Sequence, residues 1–112
     1  MITVSNHGAI QVIHVESQIV DSRIAGAIRQ TVAGMVPPHQ LFVIEFGKTN
    51  LIDSGGLAGL VMLQKFIKNN GCRLNLCHLT KTVMSVFQMT RMDKVFVLAD
   101  TLDNALNNLN AG

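Results

Sequence analysis

Apolar and polar positions follow two different periods along the chain, and together they predict alternating strands and helices. The run LFVIEF, residues 41–46, is apolar at nearly every position, which is typical of a strand covered on both faces. Four other segments place apolar side chains three and four residues apart, as one face of a helix requires. The predicted order is β-β-α-β-α-β-α-β-α. Strands that alternate with helices favour a mostly parallel sheet with right-handed crossovers.

Turn and capping residues give the predicted boundaries. Besides residues 41–46, we expect strands over residues 2–5, 9–15, 73–79 and 95–98, with an antiparallel hairpin at 6–8. Helix caps are predicted at Asp21 or Ser22, at Asp53 or Ser54, at Thr80, and at Asp100 or Thr101. Pro37-Pro38 is expected to end the first helix and Asn70-Gly71 the second, whose wet side is predicted to carry Gln64. The fold class is α/β with about four helices, in one domain over residues 1–112, and no repeat or linker is evident.

Composition narrows the function classes. Hydrophobic residues make up 48% of the 112 residues and charged residues 14%, which argues against disorder. The nine basic residues form no run, so nucleic-acid binding is not predicted. No apolar run approaches the roughly 20 residues that span a bilayer, and the N-terminus lacks a signal-peptide pattern. The sequence therefore predicts a cytoplasmic protein without membrane insertion.

The thiol and imidazole side chains do not suggest a metal or redox site. If Cys72 and Cys77 share a strand, their odd separation puts them on opposite faces, so both are interpreted as small buried apolar residues. The four histidines are scattered, without the spacing of a metal site. Neither a metal nor a cofactor is predicted.

The stretch NLIDSGGL, residues 50–57, raises a functional question, because it joins an apolar strand to a helix. It lacks the Walker pattern of a phosphate-binding loop, and it lacks the Gly-x-Ser-x-Gly of a nucleophile elbow. Two interpretations remain open from the chemistry of these residues. One is a helix-capping turn without further function. The other is a regulatory phosphoserine, since phosphate is favoured at a helix N-terminus and changes the charge of a partner-facing surface.

Nearly the whole chain resembles the STAS domain family of bacterial anti-sigma factor antagonists. The resemblance is carried by IEFGKTNLIDSGGLAGLVMLQKFIKNNGCRLNL and KTVMSVFQMTRMDKVFVLADTLDNAL, residues 44–76 and 81–106. It implies a STAS-like fold that binds an anti-sigma factor, usually a serine kinase related to histidine-kinase ATPases. The kinase phosphorylates a serine in the turn and breaks the complex, and a phosphatase reverses this. No catalysis by the STAS domain itself is implied.

The family pattern in the turn is Asp-Ser-Ser-Gly-Leu, which this chain matches at Asp53, Ser54, Gly56 and Leu57. Gly55 stands where many antagonists keep the phosphorylated second serine. The resemblance therefore implies either a lost switch or phosphorylation of Ser54, since stressosome-type relatives carry the acceptor directly after the Asp. Before the first helix, the Val20-Asp21 step is similar to the family's Gly-x-Leu-Asp, although Gln18 replaces the glycine. The predicted partner-binding residues are Asp21, Asp53, Ser54, Gly55, Gly56 and Leu57, with Ser54 as the phosphorylation site.

Two other functions compete with this prediction. The chain is alternatively a stand-alone STAS subunit of a membrane lipid transporter, which would bind an ABC-type ATPase and in which Ser54 would be structural. An enzyme using Cys72 or Ser54 is disfavoured, because the sequence places no general base near either residue. A homodimer is open in each case.

Overall fold

Seven strands and four helices make up the computed structural model, which describes residues 1–111. The strands are β1 (Ile2–His7), β2 (Ile10–Val15), β3 (Ile19–Val20), β4 (Leu41–Glu45), β5 (Leu51–Ile52), β6 (Arg73–Cys77) and β7 (Val97–Ala99). The helices are α1 (Ser22–Ala33), α2 (Ser54–Asn69), α3 (Lys81–Met89) and α4 (Leu102–Ala111), with a short 3-10 helix at Met92–Lys94. Within the described part of the chain, none of the helices has both the length and the apolar character needed to cross a bilayer.

Five of the strands form one sheet in the order β1-β2-β4-β6-β7. β1 is antiparallel to β2, and the other neighbours are parallel. This confirms the predicted α/β class with an N-terminal hairpin and four helices. A separate parallel pair, β3 with β5, was not predicted, because strands of two residues are too short to show a periodicity.

The sheet is covered on both faces, as the apolar run at residues 41–46 predicts. On one face, Phe42 and Ile44 of β4 pack in a core with α1, α2 and α3. On the other face, Val43 packs in a smaller core with Ala105 and Leu109 of α4. Successive side chains of a strand point to opposite faces, so one strand supplies both cores. Each fully buried large apolar side chain contributes about 1.5–3 kcal/mol to folding.

Two boundaries near the N-terminus differ from the prediction. β1 continues to His7, and the turn falls at Gly8-Ala9, where Gly8 takes a left-handed φ of 66°. α1 ends at Ala33, ahead of Pro37-Pro38, so the prediction that the prolines end the helix is wrong. The amide of Gly34 still donates to Gln30, but the chain then tightens into three-residue turns that stop the helix.

Later differences arise from tertiary packing. β6 ends at Cys77 because His78 takes a left-handed φ of 57°. β7 begins at Val97, since Phe96 instead buries its ring 5.6 Å from that of Phe87. Gln64 was predicted on the wet side of α2, and this is wrong: it is 7% exposed and donates to the Val95 carbonyl at 3.1 Å.

The observed helix caps agree with the prediction. Where two residues were predicted as the cap, the structure shows which of them accepts the bond. In α1 and α2 the aspartates accept the capping bonds, Asp21 from the Ile24 amide at 3.0 Å and Asp53 from the Gly56 amide at 2.8 Å. Thr80 caps α3, and at the start of α4 Thr101 accepts from the Asn104 amide at 3.1 Å. Each cap satisfies an amide that the helix itself leaves without a partner. Asn70 and Gly71 follow the end of α2 as predicted.

Candidate functional site

Pairing of β3 with β5 brings the starts of α1 and α2 together. The register places Ile19 opposite Leu51 and Val20 opposite Ile52, and each strand runs directly into its helix. The Asp53 amide also donates to the Val20 carbonyl at 3.2 Å. Two helix N-termini, each with a partial positive charge, therefore lie side by side at the carboxyl ends of parallel strands.

The two starts have the same local chemistry, an Asp cap followed by a Ser. Val20-Asp21-Ser22 and Ile52-Asp53-Ser54 share the order of a β-branched aliphatic residue, an Asp and a Ser. The bond from the Ile24 amide holds the pKa of Asp21 below its usual value. Asp21, the weaker match to the family pattern, thus lies beside Asp53 in an equivalent role.

A serine occupies the first helical position after each cap. Ser22 and Ser54 are both exposed. Ser54 was predicted as a site residue and lies accessible at the start of α2. Ser22 was missed, although the repeated Val/Ile-Asp-Ser would have indicated it. The surface formed by these residues and the adjoining strand pair is called the twin-cap surface below; it consists of Ile19, Asp21, Ser22, Leu51, Asp53 and Ser54.

Glycines let α2 approach α1 and β3 closely. A Cβ at Gly56 would lie 2.1 Å from the Val20 carbonyl oxygen, and a Cβ at Gly55 would lie 3.2 Å from the Ser22 Cβ. Gly56 is buried, so it shapes the site and presents no side chain to a partner. Gly55 is partly exposed and packs against Ser22. The structure thus places both predicted glycines at the junction of the two helix starts.

The twin-cap surface includes two exposed aliphatic side chains, and hydrogen bonds hold the loop that carries them. Ile19 is 53% exposed and Leu51 44% exposed, although large aliphatic side chains are usually buried. Below them, the buried hydroxyl of Thr49 donates to the Ser17 carbonyl at 3.0 Å, and Thr80 donates to the Thr49 carbonyl at the same distance. The loop is held by hydrogen bonds while its apolar pair faces solvent.

Leu57 completes the turn and is half-buried against the main core. It was predicted as a contact residue, and it leaves part of its side chain accessible beside Ser54. The carboxylate of Asp53 is engaged by the Gly56 amide. The arrangement offers exposed hydroxyls, two carboxylates and an apolar pair, which suits recognition by another macromolecule.

The other candidate side chains lie away from this surface. Cys72 precedes β6 and belongs to the core shared with α1–α3, whereas Cys77 ends β6 and belongs to the core shared with α4. Both are buried, as their interpretation as small apolar residues predicts. Burial raises the pKa of Cys77 to about 12, and it raises the pKa of Cys72 as well. Thiols in this state are poor nucleophiles. In residues 1–111, no three His, Cys, Asp or Glu side chains are placed to share a metal ion.

A model of one protein family matches most of the chain. The family model described as "Mlab, STAS domain" matches residues 2–100. An anti-sigma factor antagonist from Mycobacterium paratuberculosis has a similar structure, with a TM-score of 0.83 at 22% identity over 98% of this chain and 93% of that chain. An anti-sigma-factor antagonist (STAS) domain protein from Planctomyces limnophilus gives 0.80 at 23% identity, over 96% and 95%.

A third structure, the anti-sigma factor antagonist SpoIIAA in its unphosphorylated form, gives a TM-score of 0.79 at 16% identity, over 100% of this chain and 98% of that chain. At such identities, the likeness to these structures shows a shared fold. The family model adds a match in sequence over nearly the whole chain, including both helix starts of the twin-cap surface. The chain belongs to the STAS domain family.

Proposed function

We propose that this STAS domain is a regulatory binding module of the anti-sigma factor antagonist type. It binds an anti-sigma factor with serine kinase activity through the twin-cap surface, and phosphorylation of Ser54 releases the partner. The observation that carries the proposal is the exposure of Ser54 at the start of α2, beside the exposed pair Ile19 and Leu51. At the twin-cap surface the module acts by binding and not by catalysis.

A phosphate on Ser54 is compatible with the fold. Ser54 occupies the first position of a helix that spans Ser54–Asn69, where the free amides and the helix dipole favour negative charge. Asp53 caps the helix through its side chain, so the Ser54 hydroxyl is not needed for that bond. We therefore expect phosphorylation to leave the domain folded and to alter only its surface.

The same phosphate changes the surface that a partner meets. It adds about −1.5 to −2 charge next to the carboxylates of Asp53 and Asp21. It also brings a strongly hydrated group close to Ile19 and Leu51, which a partner would have to desolvate. Both effects weaken a complex that buries the apolar pair.

Ser54 can accept a phosphate, whereas Gly55, the next residue, cannot. Gly55 has no hydroxyl, and a Cβ at this position would lie 3.2 Å from the Ser22 Cβ of α1. Among the similar structures, SpoIIAA is described in an unphosphorylated form, so a phosphorylated form is distinguished for that protein. In this chain, Ser54 is the hydroxyl of the turn that a kinase can reach.

The first test is phosphopeptide analysis of the protein purified from its own host, in growing and in stressed cells. We expect one phosphate on Ser54 whose occupancy differs between the two conditions. The second test uses the wild type, Ser54→Ala and Ser54→Asp as bait in host lysate, with recovered proteins identified by mass spectrometry. Wild type and Ser54→Ala should capture a serine kinase of the anti-sigma factor class. Ser54→Asp should bind that kinase at least roughly tenfold more weakly, which corresponds to about 1.4 kcal/mol.

Ser85→Asp is the matched control, because Ser85 is also an exposed helical serine but lies on α3. Its affinity for the kinase should equal that of the wild type. Unchanged affinity of Ser54→Asp, with no phosphate in either condition, would contradict the switch. Recovery of an ABC-type ATPase by all variants would instead support the lipid-transporter alternative.

A further inference from the structure

A chain of hydrogen bonds joins three neighbouring strands of the five-stranded sheet and involves none of the residues of the twin-cap surface. Ser5 Oγ of β1 lies 2.8 Å from His14 Nε2 of β2, and His14 Nδ1 lies 3.1 Å from Glu45 Oε2 of β4. His14 and Glu45 are register partners, so the contact is built into the pairing of β2 with β4. All three side chains belong to the face of the sheet that carries Val12 and Val43, the face opposite α1–α3.

The direction of each hydrogen bond follows from the chemistry of the groups. An ionised carboxylate only accepts, so His14 Nδ1 carries the hydrogen that bonds to Glu45. In the neutral ring, His14 Nε2 is then an acceptor, and the Ser5 hydroxyl must donate to it. The second carboxylate oxygen of Glu45 accepts from the Gly47 amide, which fixes the carboxylate. His7 Nε2 lies 3.1 Å from Ser5 Oγ. Because the Ser5 hydrogen is used in the bond to His14, His7 Nε2 donates to Ser5 Oγ.

This geometry has the three parts of an activated serine: a nucleophile, a base in hydrogen-bond contact with it, and a third group that orients the base. We propose that Ser5 is a reactive serine that accepts an acyl group from an activated carboxylic ester, with His14 as the general base and Glu45 as the residue that positions His14. The inference concerns the transfer to Ser5. It does not depend on the function proposed for the twin-cap surface.

The site is accessible to a small reagent. The His14 side chain is 26% exposed and that of Glu45 20% exposed, and Ser5 is partly exposed. α4 packs mainly over β4, β6 and β7 on this face, whereas Ser5 belongs to β1 at the edge of the sheet. The partial exposure of all three side chains leaves room for an ester to reach Ser5.

The proposed transfer is balanced without any further reagent. Ser5 Oγ forms a bond to the carbonyl carbon of the ester, and its proton passes to His14 Nε2. The bond from that carbon to the leaving alkoxide or phenolate breaks, and the leaving group takes the electron pair. Glu45 stabilises the imidazolium that forms. The products are an O-acyl serine and either the free alcohol, which takes the proton from His14, or the phenolate, in which case His14 returns the proton to water.

A fluorophosphonate probe tests the nucleophile directly on the full chain. In that reaction the Ser5 oxygen–phosphorus bond forms, the phosphorus–fluorine bond breaks, fluoride leaves, and the proton goes to His14. We expect one adduct, mapped to Ser5 by peptide mass spectrometry and formed at least roughly tenfold faster than any adduct on exposed Ser85. p-Nitrophenyl acetate should acetylate the same serine and release one p-nitrophenolate for each protein labelled.

Variants test whether Ser5 reacts because His14 and Glu45 activate it or only because it is exposed. His14→Ala should slow the labelling of Ser5 by roughly 100-fold, the scale of general-base assistance. Glu45→Gln should also slow the labelling of Ser5. Because this substitution keeps the shape of the side chain, a slower rate in a folded variant is not explained by misfolding. Ser85→Ala, at an exposed serine on α3, should leave the rate of Ser5 labelling at the wild-type value. Absence of the Ser5 adduct, or equal rates in the wild type and in a folded Glu45→Gln variant, would overturn the proposal.

Discussion

Single atoms decide how closely the two helix starts approach each other, and Gly56 shows this at the residue scale. The hydrogen of this glycine faces the Val20 carbonyl, where a methyl group would lie 2.1 Å from the oxygen. The carbonyl is backbone and accepts from the Asp53 amide, so it cannot turn aside without loss of the β3–β5 junction. The glycine at position 56 is therefore required by packing against Val20.

Gly56→Ala should lower the free energy of unfolding by about 1–3 kcal/mol, because the inserted methyl group forces α2 away from β3. Urea unfolding at equilibrium measures this. Gly26→Ala is the matched control, since Gly26 lies within α1 and a Cβ there meets nothing within 4 Å. The control should be stabilised by up to about 1 kcal/mol through helix propensity. Equal stability of the two variants would show that the contact with Val20 carries no cost.

Other residues show the limits of residue-level prediction. Ser54 was expected at the surface and is exposed, because the start of a helix leaves its first side chain to solvent. Gln64 was also expected at the surface and is buried, because Val95 supplies a carbonyl for its amide. The partner of Gln64 comes from a segment far along the chain, and no local pattern contains it.

Helix caps act at the scale of elements, since each one fixes where a helix starts and which way it runs. At α1 the Ile24 amide bonds to the Asp21 carboxylate and lowers its pKa from the usual 3.8. A carboxyl group with a lowered native pKa stabilises the fold fully above its unfolded pKa. That contribution is lost as the pH falls through the native value.

Asp21→Asn keeps an acceptor for the Ile24 amide and removes the titrating charge. The difference in urea midpoint between wild type and this variant should therefore be largest at neutral pH, in favour of the wild type. It should shrink as the pH falls below the usual aspartate pKa of 3.8. Asp100→Asn, at an exposed position just before α4, controls for the change in net charge. A difference that stays constant with pH would mean that the Asp21 charge does not contribute to the cap.

At the scale of the whole molecule, the sheet separates two cores of unequal size. The larger core lies under α1, α2 and α3, whereas α4 alone covers the smaller one on the other face. Cys72 lies in the larger core and Cys77 in the smaller one, so the labelling of each thiol measures how often its own core opens. Burial raises the pKa of both thiols. Thiol labelling therefore requires local opening or unfolding.

Leu109→Ala should weaken the attachment of α4, because Leu109 is 3% exposed and packs in the core that contains Cys77. We expect a cost of about 2 kcal/mol and a labelling rate of Cys77 that rises roughly 30-fold, with a smaller rise at Cys72. A thiol reagent followed by peptide mass spectrometry measures both rates. Asn107→Ala, on the exposed side of the same helix, should change neither rate. An equal rise at both cysteines would show that α4 opens only with the entire domain.

The α/β class, the order of the main elements and the residues that cap the helices can all be predicted from the amino-acid sequence. These features depend on neighbours within a few positions, so hydrophobic periodicity and capping chemistry are enough to predict them. The turn at Asp53 and Ser54 can likewise be found, because its Asp, Ser and glycines are consecutive. The resemblance of that stretch to the STAS family rests on the same consecutive residues, so it too is a property of the sequence.

Which distant residues share a surface depends on the tertiary structure. Pairing of β3 with β5 puts Asp21 and Ser22 beside Asp53 and Ser54. Strands of two residues are too short to show a hydrophobic periodicity, so the sequence does not predict this pairing. Pairing of β1, β2 and β4 likewise aligns Ser5, His14 and Glu45, whose spacing along the chain matches no motif. Register is set by the packing of the whole sheet, and the position of a side chain across strands follows from it. Local sequence therefore determines the helices and the main strands, whereas the assembled sheet determines β3, β5 and which distant residues share a site.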